Sequence, residues 1–283
     1  MELSAVGLNP GIQPLLRIWG WEVAAYLFFG GLVAGLMIVT AWRERAGQPL
    51  PGGTLLLAPA LLSVGMLALF LDLEHKLHVW RFYTSFSIAS PMSWGSWILL
   101  LVYPAMILQM LRRLDIRVPY WPQVNMALGG ALGIYTGILL SALGARPLWN
   151  TPLLGPLFLL SGLSSAVALL ALLVPAEREW LSALDLKLIA AEAGALVLLL
   201  IGMATGGEAQ RGAARLLLGG DFTGAFWAAV AITGMVLPAG LELLHRRGRA
   251  QDTLVAPVLV LCGGFALRAV ILLAGQASHW GIL

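Results

Sequence analysis

Residues 21–42 read WEVAAYLFFGGLVAGLMIVTAW, an apolar run closed by Arg43-Glu44-Arg45. At about 1.5 Å per helical residue the run is about 33 Å long, enough to cross a hydrocarbon core of about 30 Å. Comparable runs follow at about 54–71, 93–111, 124–143, 153–174, 185–204, 222–244 and 254–275. Asp72, Arg112-Arg113, Pro175 with Glu177-Arg178-Glu179, and His245-Arg246-Arg247 close several of them. Together they predict an all-α integral membrane protein. Its single transmembrane domain, residues 1–283, holds a bundle of eight transmembrane helices, read as two four-helix bundles.

Composition demands the same solvent. Hydrophobic residues make up 59% of the chain, charged residues 11%, and the mean hydropathy is +0.87. A water-soluble domain is about a quarter charged, so this chain lacks the polar groups to cover a surface in water. Lipid removes the conflict. The net charge of +3 reflects arginines in short connections; it reads as a signal for orientation and not for nucleic acid. The lone Cys262 allows no disulfide or cysteine-built metal centre within the chain. The first segment, with Glu2 and no basic stretch, does not read as a cleaved signal peptide.

The basic residues after the odd-numbered runs are Arg43, Arg45, Arg112, Arg113, Arg117, Arg178, Lys187, Arg246, Arg247 and Arg249. They outnumber Arg17, Lys76, Arg81, Arg146, Arg211 and Arg215 on the other side. The positive-inside rule therefore expects both termini on the outer, periplasmic face of a bacterial or archaeal cytoplasmic membrane. The two longest connections, 72–92 and 205–221, fall on that face. Gly31 with Gly35, and Gly129, Gly133 and Gly137, have the spacing that lets membrane helices approach closely.

Ionisable and phenolic groups inside the runs carry the chemistry, because each is costly there. Glu22 and Tyr26 lie one turn apart at the outer end of the first run, with Asp72, Glu74, His75 and His78 beyond the second. Tyr135 is in the outer half of the fourth, and Trp149-Asn150 follow it. Arg268 lies about 21 Å into the eighth, and Glu192 in the inner half of the sixth. Most of these groups converge at one depth on one face. An acid, a tyrosine, an arginine and histidines at the bilayer edge suit an amphipathic redox ligand such as a quinone, whose carbonyls need hydrogen bonds and whose reduction takes up two protons. The histidines, His75, His78, His245 and His279, all fall at or beyond helix ends, which argues against a buried bis-histidine haem.

Ordered motifs now add a resemblance. Trp19-Gly20-Trp21-Glu22, Tyr26-Leu27-Phe28, Gly30-Gly31, Ser90-Pro91-Met92-Ser93-Trp94-Gly95, the stretch from Tyr135 to Arg146-Pro147-Leu148-Trp149-Asn150, and Gly263-Gly264 through Leu267-Arg268 to Ala274-Gly275-Gln276 resemble the NrfD/PsrC family over essentially the whole chain. These are membrane subunits of complexes such as polysulfide reductase. The resemblance implies a menaquinone or ubiquinone site near the outer face and no haem or metal in this chain. It also implies a ferredoxin-like four-cluster iron–sulfur subunit docked outside, leading to a molybdopterin catalytic subunit. It assigns quinone contact to Tyr135. Tyr26 stands where relatives have a histidine, and Val23 at or near an asparagine position. The resulting assignment gives Glu22, His75 and Asp72 the proton chemistry. Tyr135, Tyr26, Glu22, Trp149, Asn150 and Arg268 form the quinone site, and Glu192 and Arg268 a proton path. A proton- or ion-translocating transporter and a purely structural anchor are the competing readings. Transporters more often show internal repeats, and no clear pair stands out here.

Overall fold

A computed structural model describes residues 19–73, 90–111, 119–247 and 254–279. Among these residues there is no strand, and eight helices are long and apolar enough to cross a membrane. They are α1 (Trp21–Arg45), α2 (Leu57–Asp72, entered through a 3-10 turn, Gly52–Leu56), α3 (Pro91–Met110), α4 (Trp121–Ser141), α5 (Leu154–Leu173), α6 (Arg178–Ala204), α8 (Thr223–Arg246) and α9 (Val255–Ala277). The short α7 (Glu208–Leu218) lies in the connection between α6 and α8. Its Ala213, Ala214 and Leu217 are buried while Arg211 and Arg215 are exposed, the pattern of a helix lying along a surface.

The helix ends refine the sequence reading. The sixth run, expected from about residue 185, begins instead at Arg178. Glu179 sits in its first turn, where a negative charge suits the helix dipole. Lys187, expected in a connection, is therefore an exposed helical residue. The seventh span holds a π-helical stretch, Phe226–Val236, that no composition pattern reveals.

α1 is the hub. Of its most apolar window 89% is buried, and it packs on α2, α4, α5 and α9. α1–α4 form one group, and α5, α6, α8 and α9 the other, with α5 packing on α1, α4, α6 and α9. Glycine makes the seam between the groups possible. A methyl group on Gly35 would strike the Gly162 carbonyl, and one on Gly162 would strike the Gly31 carbonyl. Backbone meets backbone there, as the spacing of Gly31 and Gly35 predicted. At the end of α1 remote from Trp19, Arg43 pairs with Glu177 at 2.6 Å and lies 4.7 Å over the Trp180 ring. The two ends of the bundle are called the Trp19 face and the Arg43 face below.

A side chain on Gly162 has only backbone to displace. Gly162→Ala is expected to destabilise by about 1–3 kcal/mol and to lower the thermal midpoint of the purified protein by several degrees. Gly130→Ala, with nothing within 4 Å of the added atom, is the control and does not lower it.

Candidate functional site: a cavity at the Trp19 face

A cavity of about 540 Å³ lies between α1, α2, α3 and α4. Trp19, Asp72, Leu73 and Met92 line it where the helices end, and Ser63 and Tyr103 line it farther along α2 and α3. Its walls are mostly apolar; Tyr26, Tyr135, Ser96 and Asp72 supply polar atoms. Tyr26 and Tyr135, both buried, come from facing helices, α1 and α4.

Gly95 places the Tyr135 hydroxyl. A methyl group on Gly95 would occupy the position of the phenol oxygen. The tyrosine therefore reaches the α3 backbone only because residue 95 has no side chain. This explains, in steric terms, why a glycine sits in the Ser-Pro-Met-Ser-Trp-Gly motif opposite the tyrosine.

The wall at Trp19 is held from behind. The Trp19 N–H donates to Gln276 Oε1 at 3.0 Å, and Gln276 Nε2 donates to the Trp19 carbonyl at 2.9 Å. The Trp149 ring packs against Trp19 with centroids 5.6 Å apart, and its N–H donates to the Ile271 carbonyl at 2.9 Å. Gly275 leaves the room for that indole. Arg146 Nη1 donates to the Ser278 carbonyl at 3.0 Å and to His279 Nδ1 at 2.9 Å. The loop after α4, the start of α1 and the end of α9 thus form one polar clasp beside the cavity.

Of the residues singled out in the sequence, Tyr26, Asp72 and Tyr135 line this cavity together. Glu22 is not among the lining residues; its carboxylate folds back over Gly20. Trp149 lies behind Trp19, and Asn150 is exposed. His75 falls outside the described residues, as does most of the connection 72–92.

Arg268 lies elsewhere, fully buried among α1, α5 and α9. Its Nε donates to the Leu27 carbonyl (3.0 Å), Nη1 to Ser161 Oγ (3.0 Å) and the Gly264 carbonyl (2.9 Å), and Nη2 to the Phe158 carbonyl (2.9 Å). Glu192, also buried, lies near Ser161 and Arg268. Two acids that sequence reasoning left unassigned continue this line toward the Arg43 face. Asp185 is buried and accepts from Ser164 at 2.6 Å, and Glu242 is buried beside Ser182. Asp185 Oδ2 and Glu242 Oε2 have no partner. The two-turn spacing of Asp185 and Glu192 was the available signal; the contribution of α8 through Glu242 had none.

A family model described as polysulphide reductase, NrfD, matches residues 10–278. The chain belongs to the NrfD family. It is 32% identical to a polysulfide reductase chain of Wolinella succinogenes, over 92% of this protein and 94% of that one. It is 30% identical to protein NrfD of Escherichia coli, over 92% and 96%. A tetrathionate reductase subunit of Salmonella typhimurium is 31% identical, over 56% of this protein and 49% of that one.

The clasp carries a pH signature. Partial burial and the adjacent Arg146 lower the pKa of His279 below 6.5. Because Arg146 donates to Nδ1, the ring is neutral in the clasp. The contact is complete above about pH 6.5 and weakens as the pH falls through the lowered value. Histidine-selective NMR should find His279 titrating low and moving up in Arg146→Gln; an unchanged value would refute the contact.

Proposed function

We propose that this chain is the membrane anchor and quinone- or quinol-binding subunit of a multi-subunit respiratory oxidoreductase. The observation that carries the reading is the cavity. It lies beside helix ends, is apolar over most of its wall, and is lined by Tyr26 and Tyr135 from two facing helices. Menaquinone or ubiquinone, a head group with two carbonyls on an apolar tail, fits that division of surface. The names of relatives support an assembly, since one is a single chain of polysulfide reductase and another a single subunit of tetrathionate reductase.

On this reading the head group lies near Tyr135 and Tyr26, with Tyr135 donating to a carbonyl. A hydroxyl donates to a quinone oxygen and accepts from a quinol hydroxyl, so the same residues hold both redox states. Asp72, at the mouth of the cavity, and Glu22, in the first turn of α1, exchange the two protons with water. Two electrons come from, or return to, a ferredoxin-like iron–sulfur subunit docked on the Trp19 face, and through it a molybdopterin catalytic subunit. The excess of arginine at the Arg43 face makes the Trp19 face the periplasmic one. Glu192, Ser161 and Arg268 belong to a proton path from the opposite side, extended by Asp185 and Glu242.

Quinone turnover by the purified complex tests the site. Loss of one hydrogen bond at the reacting head group, worth about 1–1.5 kcal/mol, is roughly tenfold; Tyr135→Phe and Gly95→Ala are each expected to lower kcat/KM by that order. Normal turnover in both, with the partner subunit still co-purifying, would place the quinone elsewhere.

The path has its own readout. Glu192→Gln is expected to keep quinone turnover in detergent within about twofold while reducing proton uptake from the Arg43 side of sealed vesicles. Unchanged uptake would make the Glu192–Arg268 contact structural.

A further inference from the structure

The cavity does not stop at Tyr135. Its lining follows α2 from Leu73 to Ser63 and α3 from Met92 to Tyr103, about 15 Å in each case. α2 and α3 meet only slightly along this length, and Leu67 and Phe70, both of which line the cavity, are 58% and 39% exposed. Among the described residues the cavity therefore continues as a crevice on the side of the bundle that faces hydrocarbon.

A hydroxyl pair marks its far end. Ser63 Oγ and the Tyr103 hydroxyl are 3.2 Å apart, and both line the cavity. Ser63 gives its own hydrogen to the Pro59 carbonyl at 2.8 Å. The tyrosine is therefore the donor of the pair. Tyr103 lies twelve residues from the start of α3 and seven from its end, about 18 Å and 10 Å, inside the span and away from the interfacial aromatic belts. Ser63 is satisfied by its own helix. The phenol gains a partner, but packing alone would be served as well by phenylalanine. Pro104, next in α3, also removes an N–H that would have bonded the Leu100 carbonyl, a place where a helix can bend.

We propose that the lipid-soluble quinone reaches its site sideways from the bilayer, through the crevice between α2 and α3. Its tail stays in that crevice, and the Tyr103 hydroxyl, lent by Ser63, is the first donor its head group meets. This rests on the quinone reading above. A carbonyl in hydrocarbon has no hydrogen bond to lose, so exchange of the Ser63–Tyr103 bond for one to the carbonyl leaves Ser63 still bonded to Pro59. The tyrosine is a positioning residue on the route and does not take part in the redox step.

The test uses the whole complex in lipid vesicles with two substrates, a long-tailed menaquinol held in the bilayer and a tail-less, water-soluble naphthoquinol added from the Trp19 side. Ser63→Trp fills the crevice. It is expected to raise KM for the long-tailed quinol about tenfold or more, equivalent to about 1.4 kcal/mol, and to leave the tail-less one within about twofold. Tyr103→Phe is expected to raise KM for the long-tailed quinol several-fold with kcat unchanged. Co-purification of the partner subunit checks that both variants assemble. If Ser63→Trp changes neither substrate, the tail lies elsewhere and the route is overturned. Equal loss with both substrates also overturns it, since the residue then closes the head-group site. A wild-type complex that turns over neither quinol removes the quinone reading itself, and the route with it.

Discussion

A guanidinium in the middle of a bilayer must place its donors or be expelled. Arg268 places four hydrogen bonds, three of them on backbone carbonyls of α1, α5 and α9. A helical carbonyl keeps a second lone pair after its own ladder bond, but a side chain can reach it only where the helix surface is bare. Gly31 supplies the bare surface on α1, since a methyl group there would collide with the guanidinium. Gly264, one turn before Arg268, is tight against Ser165 in the same way. The glycines of the seam and the buried arginine are therefore one device. Close backbone approach lets a single side chain join three helices, and the joined helices keep the backbones close.

That joint fixes α1, and α1 carries Tyr26 into the cavity one residue before the carbonyl that Arg268 holds. The other end of the same helix is held by Arg43 against Glu177 and Trp180. The Trp19 wall is held by residues from the opposite end of the chain, Gln276 and the carbonyl of Ile271 through Trp149. The cavity belongs to the first four spans, yet much of what makes it rigid comes from α5 and α9. α2 and α3, by contrast, are only 28% and 39% buried over their most apolar windows and meet each other only slightly.

The spans were legible because a run of apolar residues about as long as a bilayer is thick has few other uses. The glycine seam was legible from spacing alone, since i and i+4 share a helix face. Tyr26, Asp72 and Tyr135 could be set at one depth because depth follows from topology by counting residues, and the structure has all three line one cavity. Depth does not say which way a side chain turns. Glu22 is at the expected depth, yet its carboxylate folds back over Gly20. Arg268, also read as a ligand residue, turns to another junction. Trp149 serves through Trp19. Ser63 and Tyr103 went unread because their meeting depends on how α2 and α3 are set against each other, and nothing in either helix alone states it. Asp185 and Glu242 went unread for a related reason. Each lies near a charged helix end and looks, in one dimension, like part of a polar boundary. The π-helical turn of α8 is invisible in a pattern that is apolar throughout.

The two polar regions differ in kind, and the difference bears on what each can hold. Apart from Asp72 and the indole of Trp19 at its mouth, the cavity's polar side chains are hydroxyls of tyrosine and serine. Hydroxyls stay neutral and both donate and accept, so they stabilise a neutral ligand without favouring its oxidised or reduced form strongly. A buried carboxylate in that place would accept well from a quinol and repel a quinone oxygen. The line from Glu242 to Arg268 has three buried carboxylates, one of them accepting from Ser164, with oxygens of Asp185 and Glu242 left without partners. Such groups can take up and release a proton, which hydroxyls at neutral pH do not. α1 stands between the two regions, touching the first with Tyr26 and the second with the carbonyl of Leu27.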